Sequence, residues 1–127
     1  MSKIKITSTL KSNDSVHKFE GMGIKMGNMI IYKDDAKTKI ILSDKLIIER
    51  KSDYFIKLNL KEGINLKGKY ITNYGEFDIY SEAEKIEIKK NSVKAIYKLS
   101  INGNYIDTFE YYLKFSIDSW IEYDTMF

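Results

Sequence analysis

The chain has 127 residues, of which 43% are hydrophobic and 31% charged, a balance typical of a single globular domain and too apolar for a disordered chain. Its 21 basic and 18 acidic residues give a net charge of only +3, and Arg50 is the only arginine, so we expect no nucleic-acid partner. The absence of cysteine and the presence of a single histidine, His17, exclude disulfides and thiolate sites, and we predict no metal or other cofactor.

The chain contains no segment that approaches the ~20 consecutive apolar residues of a membrane-spanning helix. Residues 1–10 alternate polar with apolar side chains and lack the continuous apolar stretch of a secretory signal. We therefore expect a cytoplasmic protein with no membrane partner.

Alternation of apolar and polar residues, the pattern of a strand with one buried face, recurs along the chain. The first run, residues 3–10, places Ile4 and Ile6 on one face and lysines and threonines on the other. Similar runs follow at residues 54–61, 64–70 and 93–101. The longest run, residues 105–117, is predicted to place the side chains of Tyr105, Phe109, Tyr111, Leu113, Phe115 and Ile117 on the core side.

Turn-forming residues separate these runs. Asn102-Gly103 is the strongest signal, because a type I′ turn needs positive φ at both central residues, which Asn and Gly tolerate. Successive hairpins without a helical crossover predict an all-β fold, a single closed antiparallel up-and-down barrel of about 8–10 strands, because closure removes exposed strand edges. We assign residues 1–118 to this barrel and residues 119–127 to a tail that is a short turn or disordered.

The segment Gly68–Asp78, with the sequence GKYITNYGEFD, resembles the YwiB-like family of small bacterial proteins. The apolar strand that ends at Arg50 and the strand and hairpin of residues 97–103 agree with this resemblance, whose most specific part is residues 72–77. The family is a domain-of-unknown-function group. The resemblance therefore implies a calycin-type, lipocalin-like barrel over residues 3–117 and brings no established activity, substrate or catalytic residue.

One candidate ligand site is the cluster formed by Thr72, Tyr74, Gly75 and Phe77. Aromatic and hydroxyl groups close together are suited to the mouth of a barrel, but the same residues also fit a tight turn or bulge that closes the barrel end. Tyr70 and Tyr97 lie on the apolar faces of their predicted strands and belong to the same predicted ligand-binding set.

Arg50 completes the predicted ligand-binding set. By alternation it shares a face with Leu46 and Ile48, so its guanidinium is a candidate for reaching into the barrel and binding an acidic head group. Its charged neighbours Glu49 and Asp53 also fit an ordinary surface ion pair. The sequence leaves both interpretations open.

The preferred function is binding of a small apolar or amphipathic molecule inside the barrel. We predict that the protein is not an enzyme, because no paired base and nucleophile can be named. The alternative is a filled barrel whose exterior binds another protein or a second copy of the chain. Large inward side chains are compatible with both functions.

Overall fold

The structure, a computed structural model, describes residues 1–120. Within that range the chain forms ten strands and no helix. The strands are β1 (Ser2–Lys11), β2 (Val16–Met26), β3 (Met29–Lys33), β4 (Lys37–Leu42), β5 (Leu46–Lys51), β6 (Phe55–Leu60), β7 (Asn65–Thr72), β8 (Gly75–Lys89), β9 (Ser92–Ile101) and β10 (Asn104–Trp120). No helix of the length and hydropathy needed to cross a membrane occurs in residues 1–120.

The ten strands close into one barrel. Each strand pairs antiparallel with its neighbours in sequence, and β10 also pairs with β1. Closure joins the first strand to the last, so the sheet has no open edge. The predicted all-β, closed, up-and-down barrel is therefore confirmed.

The last strand extends beyond the predicted domain boundary at Asp118. It continues to Trp120 because residues 119 and 120 pair with Lys3 and Ser2 at the beginning of β1. The remainder of the predicted tail, residues 121–127, lies outside the described residues.

One end of the barrel brings together segments that are distant in sequence. Because consecutive strands alternate in direction, the turns that follow β1, β3, β5, β7 and β9 all lie at this end, here called the mouth end. Arg50 lies near the end of β5 and Thr72 at the end of β7. Both therefore come to the mouth end, as do the Asp34 and Asp35 residues of the β3–β4 turn.

The core lies inside the barrel and consists of side chains from every second position of the strands. The alternation predicted for the first run is confirmed, since Ile4 and Ile6 are fully buried. The other large aliphatic side chains that are fully buried are Ile30, Ile40, Leu46, Leu60, Ile79, Val93 and Leu113.

Two side chains of β10 that were predicted to lie in the core are exposed, as is Ile64 before β7, at 43%. A bulge between Tyr105 and Asp107 reverses the alternation of β10, so Tyr105 pairs with the outward-facing Ser100 and is 58% exposed. Ile117 is 57% exposed because the pairing of β10 with β9 ends at Lys114, which leaves β1 as the only neighbouring strand at that position.

Gly68 allows β6 and β7 to approach closely, and its replacement should be costly. A Cβ atom at this position would overlap the backbone carbonyl oxygen of Lys57, which cannot move without displacing β6. We expect Gly68→Ala to lower the free energy of unfolding by about 2–3 kcal/mol, measured by urea denaturation. Gly27→Ala is the control, since nothing lies near a Cβ there and only the positive φ of +58° is unfavourable, at about 1 kcal/mol. Equal losses of unfolding free energy in Gly68→Ala and Gly27→Ala would contradict the close approach of β6 and β7.

Candidate functional site

Arg50 belongs to a row of inward-facing side chains at the mouth end. Directly opposite residues of an antiparallel pair share a face, so the strand register aligns one residue from each of six neighbouring strands. From β3 to β8 the row consists of Tyr32, Thr38, Arg50, Ile56, Tyr70 and Phe77. The barrel therefore brings three of the predicted site residues, Arg50, Tyr70 and Phe77, onto one belt of its inner wall.

The guanidinium of Arg50 is held by the β3–β4 turn. Its Nη1 donates to Asp34 Oδ2 at 3.0 Å and to Thr38 Oγ1 at 3.2 Å. Its Nη2 donates to Asp34 Oδ1 at 3.4 Å and to Asp35 Oδ1 at 3.1 Å. Arg50 thus reaches inward and also forms an ion pair, but its partners are these two carboxylates rather than Glu49 or Asp53.

The local structure of the turn fixes the position of the Asp34 carboxylate. The backbone N–H of Ala36 donates to Asp34 Oδ1 at 2.9 Å, a side-chain turn that Asp favours. Burial by itself would lower the pKa of Arg50, but the nearby Asp34 carboxylate outweighs it and raises the pKa above its ordinary value. The arginine is permanently charged, and its charge is compensated within the protein.

Two cavities meet at Arg50. The mouth cavity, about 500 Å³, is open at the mouth end and is lined by charged side chains such as Asp34 and Lys18 together with apolar ones such as Phe19. The inner cavity, about 210 Å³, lies inside the barrel and is lined mainly by apolar side chains. Arg50, Tyr54, Tyr111 and Leu10 line both cavities.

Buried tyrosines form much of the wall around these cavities. The hydroxyls of Tyr32 and Tyr111 are hydrogen-bonded to each other at 2.7 Å. Tyr97 lines the inner cavity, where its ring stacks on Phe109 with 5.7 Å between centroids. Among residues 1–120, no hydrogen bond to the Tyr97 hydroxyl is present. Burial raises the pKa of Tyr32, Tyr97 and Tyr111 above the ordinary tyrosine value, so their hydroxyls keep their protons at alkaline pH values where an exposed tyrosine loses its proton.

The other predicted site residues lie around the cavities rather than in their walls. Tyr70 contacts Tyr54 edge to face at 6.1 Å and Phe77 at 6.2 Å between ring centroids. Thr72 Oγ1 accepts a hydrogen bond from the backbone N–H of Tyr74 at 3.1 Å, and the Tyr74 side chain is 94% exposed. Tyr70 therefore packs between the cavity-lining Tyr54 and Phe77, whereas Thr72 and Tyr74 build the β7–β8 turn.

Several cavity residues were not found by sequence reasoning. In the sequence, Asp34 and Asp35 indicate only a turn. Their pairing with Arg50 depends on the register of β4, which lies between β3 and β5. Within the described chain, no group of three or more His, Cys, Asp or Glu side chains is arranged to hold a metal ion. The candidate site therefore consists of the mouth cavity and the more apolar inner cavity. Arg50 lines both cavities, and its charge is paired with Asp34 and Asp35.

Together these features define a closed ten-stranded antiparallel barrel with an internal chamber at one end. The chain belongs to the family described as a domain of unknown function, DUF1934, whose sequence profile matches residues 3–113. The fold is similar to that in the crystal structure of the ywiB protein from Bacillus subtilis, with a TM-score of 0.56 and 13% sequence identity over 88% of this chain and 89% of that one. Identity at this level supports the fold alone. Functionally curated proteins give no match. The predicted YwiB-like family is confirmed.

Proposed function

We propose that the protein is a non-enzymatic, cytoplasmic, lipocalin-like barrel that binds a small apolar or amphipathic molecule. The observation that carries this proposal is the adjoining pair of cavities, which share Arg50, Tyr54 and Tyr111 in their walls. An apolar chamber with a few polar groups at its entrance is the usual form of a small-molecule site. Barrel diameter grows with strand number, so ten strands leave more interior space than eight.

The inner cavity is suited to the apolar part of such a molecule. Its wall contains Ile48, Ile56, Leu58 and Leu99 together with aromatic rings. Burial of apolar surface there would contribute about 25 cal/mol per Å² before the costs of association. The mouth cavity offers carboxylates, phenols and lysines to the polar part, which would remain near water.

Native mass spectrometry of the protein isolated from its native cells tests the proposal. We expect a stoichiometric small-molecule adduct that is lost when the protein unfolds. Leu58→Phe, which fills the inner cavity, should abolish the adduct, whereas Lys67→Ala, on the outer surface, should retain it. A clean apo mass for the wild-type protein, with its fold intact by circular dichroism, would contradict ligand binding.

An apolar groove on the outside of the barrel favours a second candidate function, that of a protein-interaction module. The groove, about 1040 Å³, contains Met22, Ile24 and Ile31 of β2 and β3, and Met22 and Ile24 are 39% and 37% exposed. The lysines that surround it are Lys3, Lys33, Lys37 and Lys51. Because this rim would repel a second copy of itself, charge complementarity favours an acidic protein partner over a homodimer.

The same mass measurement separates the two functions. An interaction module would give a heteromer of fixed stoichiometry with an acidic protein, and Met22→Lys would dissociate it. A stable homodimer would contradict the assignment of an acidic partner.

A further inference from the structure

We propose that the inner cavity selects an uncharged, ring-sized molecule with one hydrogen-bonding group, of the phenol type, rather than a carboxylate. This inference rests on the proposed binding function and specifies its ligand class. It follows from three properties of the chamber, namely its volume, the occupied donors of Arg50 and the unpaired hydroxyl of Tyr97.

The volume of the inner cavity sets the size of the ligand. An apolar cavity of about 150 Å³ holds a benzene molecule in an engineered protein. At about 210 Å³, the inner cavity has room for a substituted benzene ring. A long acyl chain would have to leave most of its length in the mouth cavity, among Asp34, Lys33 and Lys18. Size therefore favours a ring over a fatty acid.

The hydrogen bonds of Arg50 argue against an acidic ligand. An arginine has five N–H donors, four of them on its two Nη atoms. Nη1 donates to Asp34 and Thr38, and Nη2 donates to Asp34 and Asp35, so these four donors are already used. A ligand carboxylate would have to displace a protein carboxylate and would then lie beside two negative charges. The acidic head group considered from the sequence is therefore disfavoured.

The hydroxyl of Tyr97 is a polar group in the wall of the inner cavity to which no other residue among 1–120 is hydrogen-bonded. Thr38 Oγ1 donates to the Ala36 carbonyl and accepts from Arg50, and Tyr111 is hydrogen-bonded to Tyr32. The Tyr97 side chain is buried, lines the cavity and has no hydrogen-bond partner among residues 1–120. This hydroxyl faces the cavity rather than being sealed in the core, since it is not one of the enclosed unpartnered polar atoms of the described chain. A ligand hydroxyl placed beside it would gain a hydrogen bond shielded from bulk water.

The rings of Tyr97 and Phe109 add an aromatic contact for the ligand. Both rings line the inner cavity, and their stacking with 5.7 Å between centroids fixes their orientation. Aromatic rings associate favourably in offset-stacked or edge-to-face arrangements. An aromatic ligand is therefore better suited to this wall than an aliphatic ring of equal size.

Titration of the purified full-length protein with p-cresol, toluene, benzoate and decanoate tests the inference. Isothermal calorimetry gives the affinities, and methyl NMR reports whether the resonances of Leu58 and Leu99 shift. We expect p-cresol to bind most tightly, and Tyr97→Phe to weaken it about tenfold, the loss of one buried hydrogen bond, without changing toluene affinity. Tyr105→Phe is the matched control, because Tyr105 is exposed on the outside of the barrel. Loss of its hydroxyl should change neither the p-cresol affinity nor the toluene affinity.

The outcomes separate this inference from the proposed function. Tighter binding of benzoate or decanoate than of p-cresol would overturn the uncharged ligand class and leave a binding barrel standing. Unchanged p-cresol affinity in Tyr97→Phe would overturn the role of Tyr97. Failure of all four probes to bind or to shift the Leu58 and Leu99 methyl resonances would count against both the inference and the proposed function.

Discussion

Above pH 10, the free energy of unfolding should fall by up to about 4 kcal/mol per pH unit, because three buried tyrosines ionise in the unfolded chain and not in the barrel. Burial raises the pKa of Tyr32, Tyr97 and Tyr111 above the ordinary value of 10.0. Between the ordinary and the raised pKa, the unfolded state binds fewer protons than the native state, so stability decreases as pH increases. Their contribution is fully retained below pH ~10 and is lost progressively above it.

Urea denaturation at a series of pH values from about 9 to about 11.5 measures this slope, and ultraviolet absorbance follows tyrosinate formation. The tyrosinate signal of these three residues should appear together with unfolding rather than before it. Tyr97→Phe should reduce their combined slope by about one third, whereas Tyr105→Phe, at an exposed position, should not reduce it. Ionisation of all three tyrosines in the folded barrel near pH 10 would contradict their burial.

Asp34→Ala should cost about 3 kcal/mol of stability near neutral pH, whereas Asp35→Ala should cost less than about 0.5 kcal/mol. Both carboxylates contact Arg50, but the Asp34 side chain is only 16% exposed and the Asp35 side chain is 84% exposed. Removal of Asp34 leaves a partly buried guanidinium without its main partner and also removes the acceptor for the Ala36 N–H.

Urea denaturation of the two single variants and of the double variant Asp34→Ala/Arg50→Met measures this difference. Because the double variant removes the unpaired charge, we expect it to recover part of the stability lost in Asp34→Ala. Equal costs for Asp34→Ala and Asp35→Ala would show that the pair with Asp34 is no stronger than a surface contact.

The architecture was predictable from the sequence because its causes are local. Two-residue alternation marks the strands, and Asn102-Gly103 forms the predicted hairpin turn with positive φ values of 53° and 80°. The errors arose where a local rule is interrupted without a sequence signal. The bulge before Asp107 turns Tyr105 outward, and the shorter β9 leaves Ile117 exposed.

The site was predictable only in part because its contacts depend on register and on the closed shape. Alternation with Leu46 and Ile48 correctly oriented Arg50 towards the interior, but its partner Asp34 lies two strands away. The position of Tyr97 opposite Phe109 also follows from the bulge in β10. Cavity volume depends on how all ten strands curve together, which no single segment encodes.

A crystal structure of the protein under xenon pressure tests the existence of the apolar chamber most directly, because xenon occupies dry apolar cavities of roughly 150 Å³. We predict xenon between the ring of Tyr97 and the side chain of Leu58, inside the inner cavity of about 210 Å³. Side chains that fill this space and leave no room for xenon would contradict a binding chamber inside the barrel.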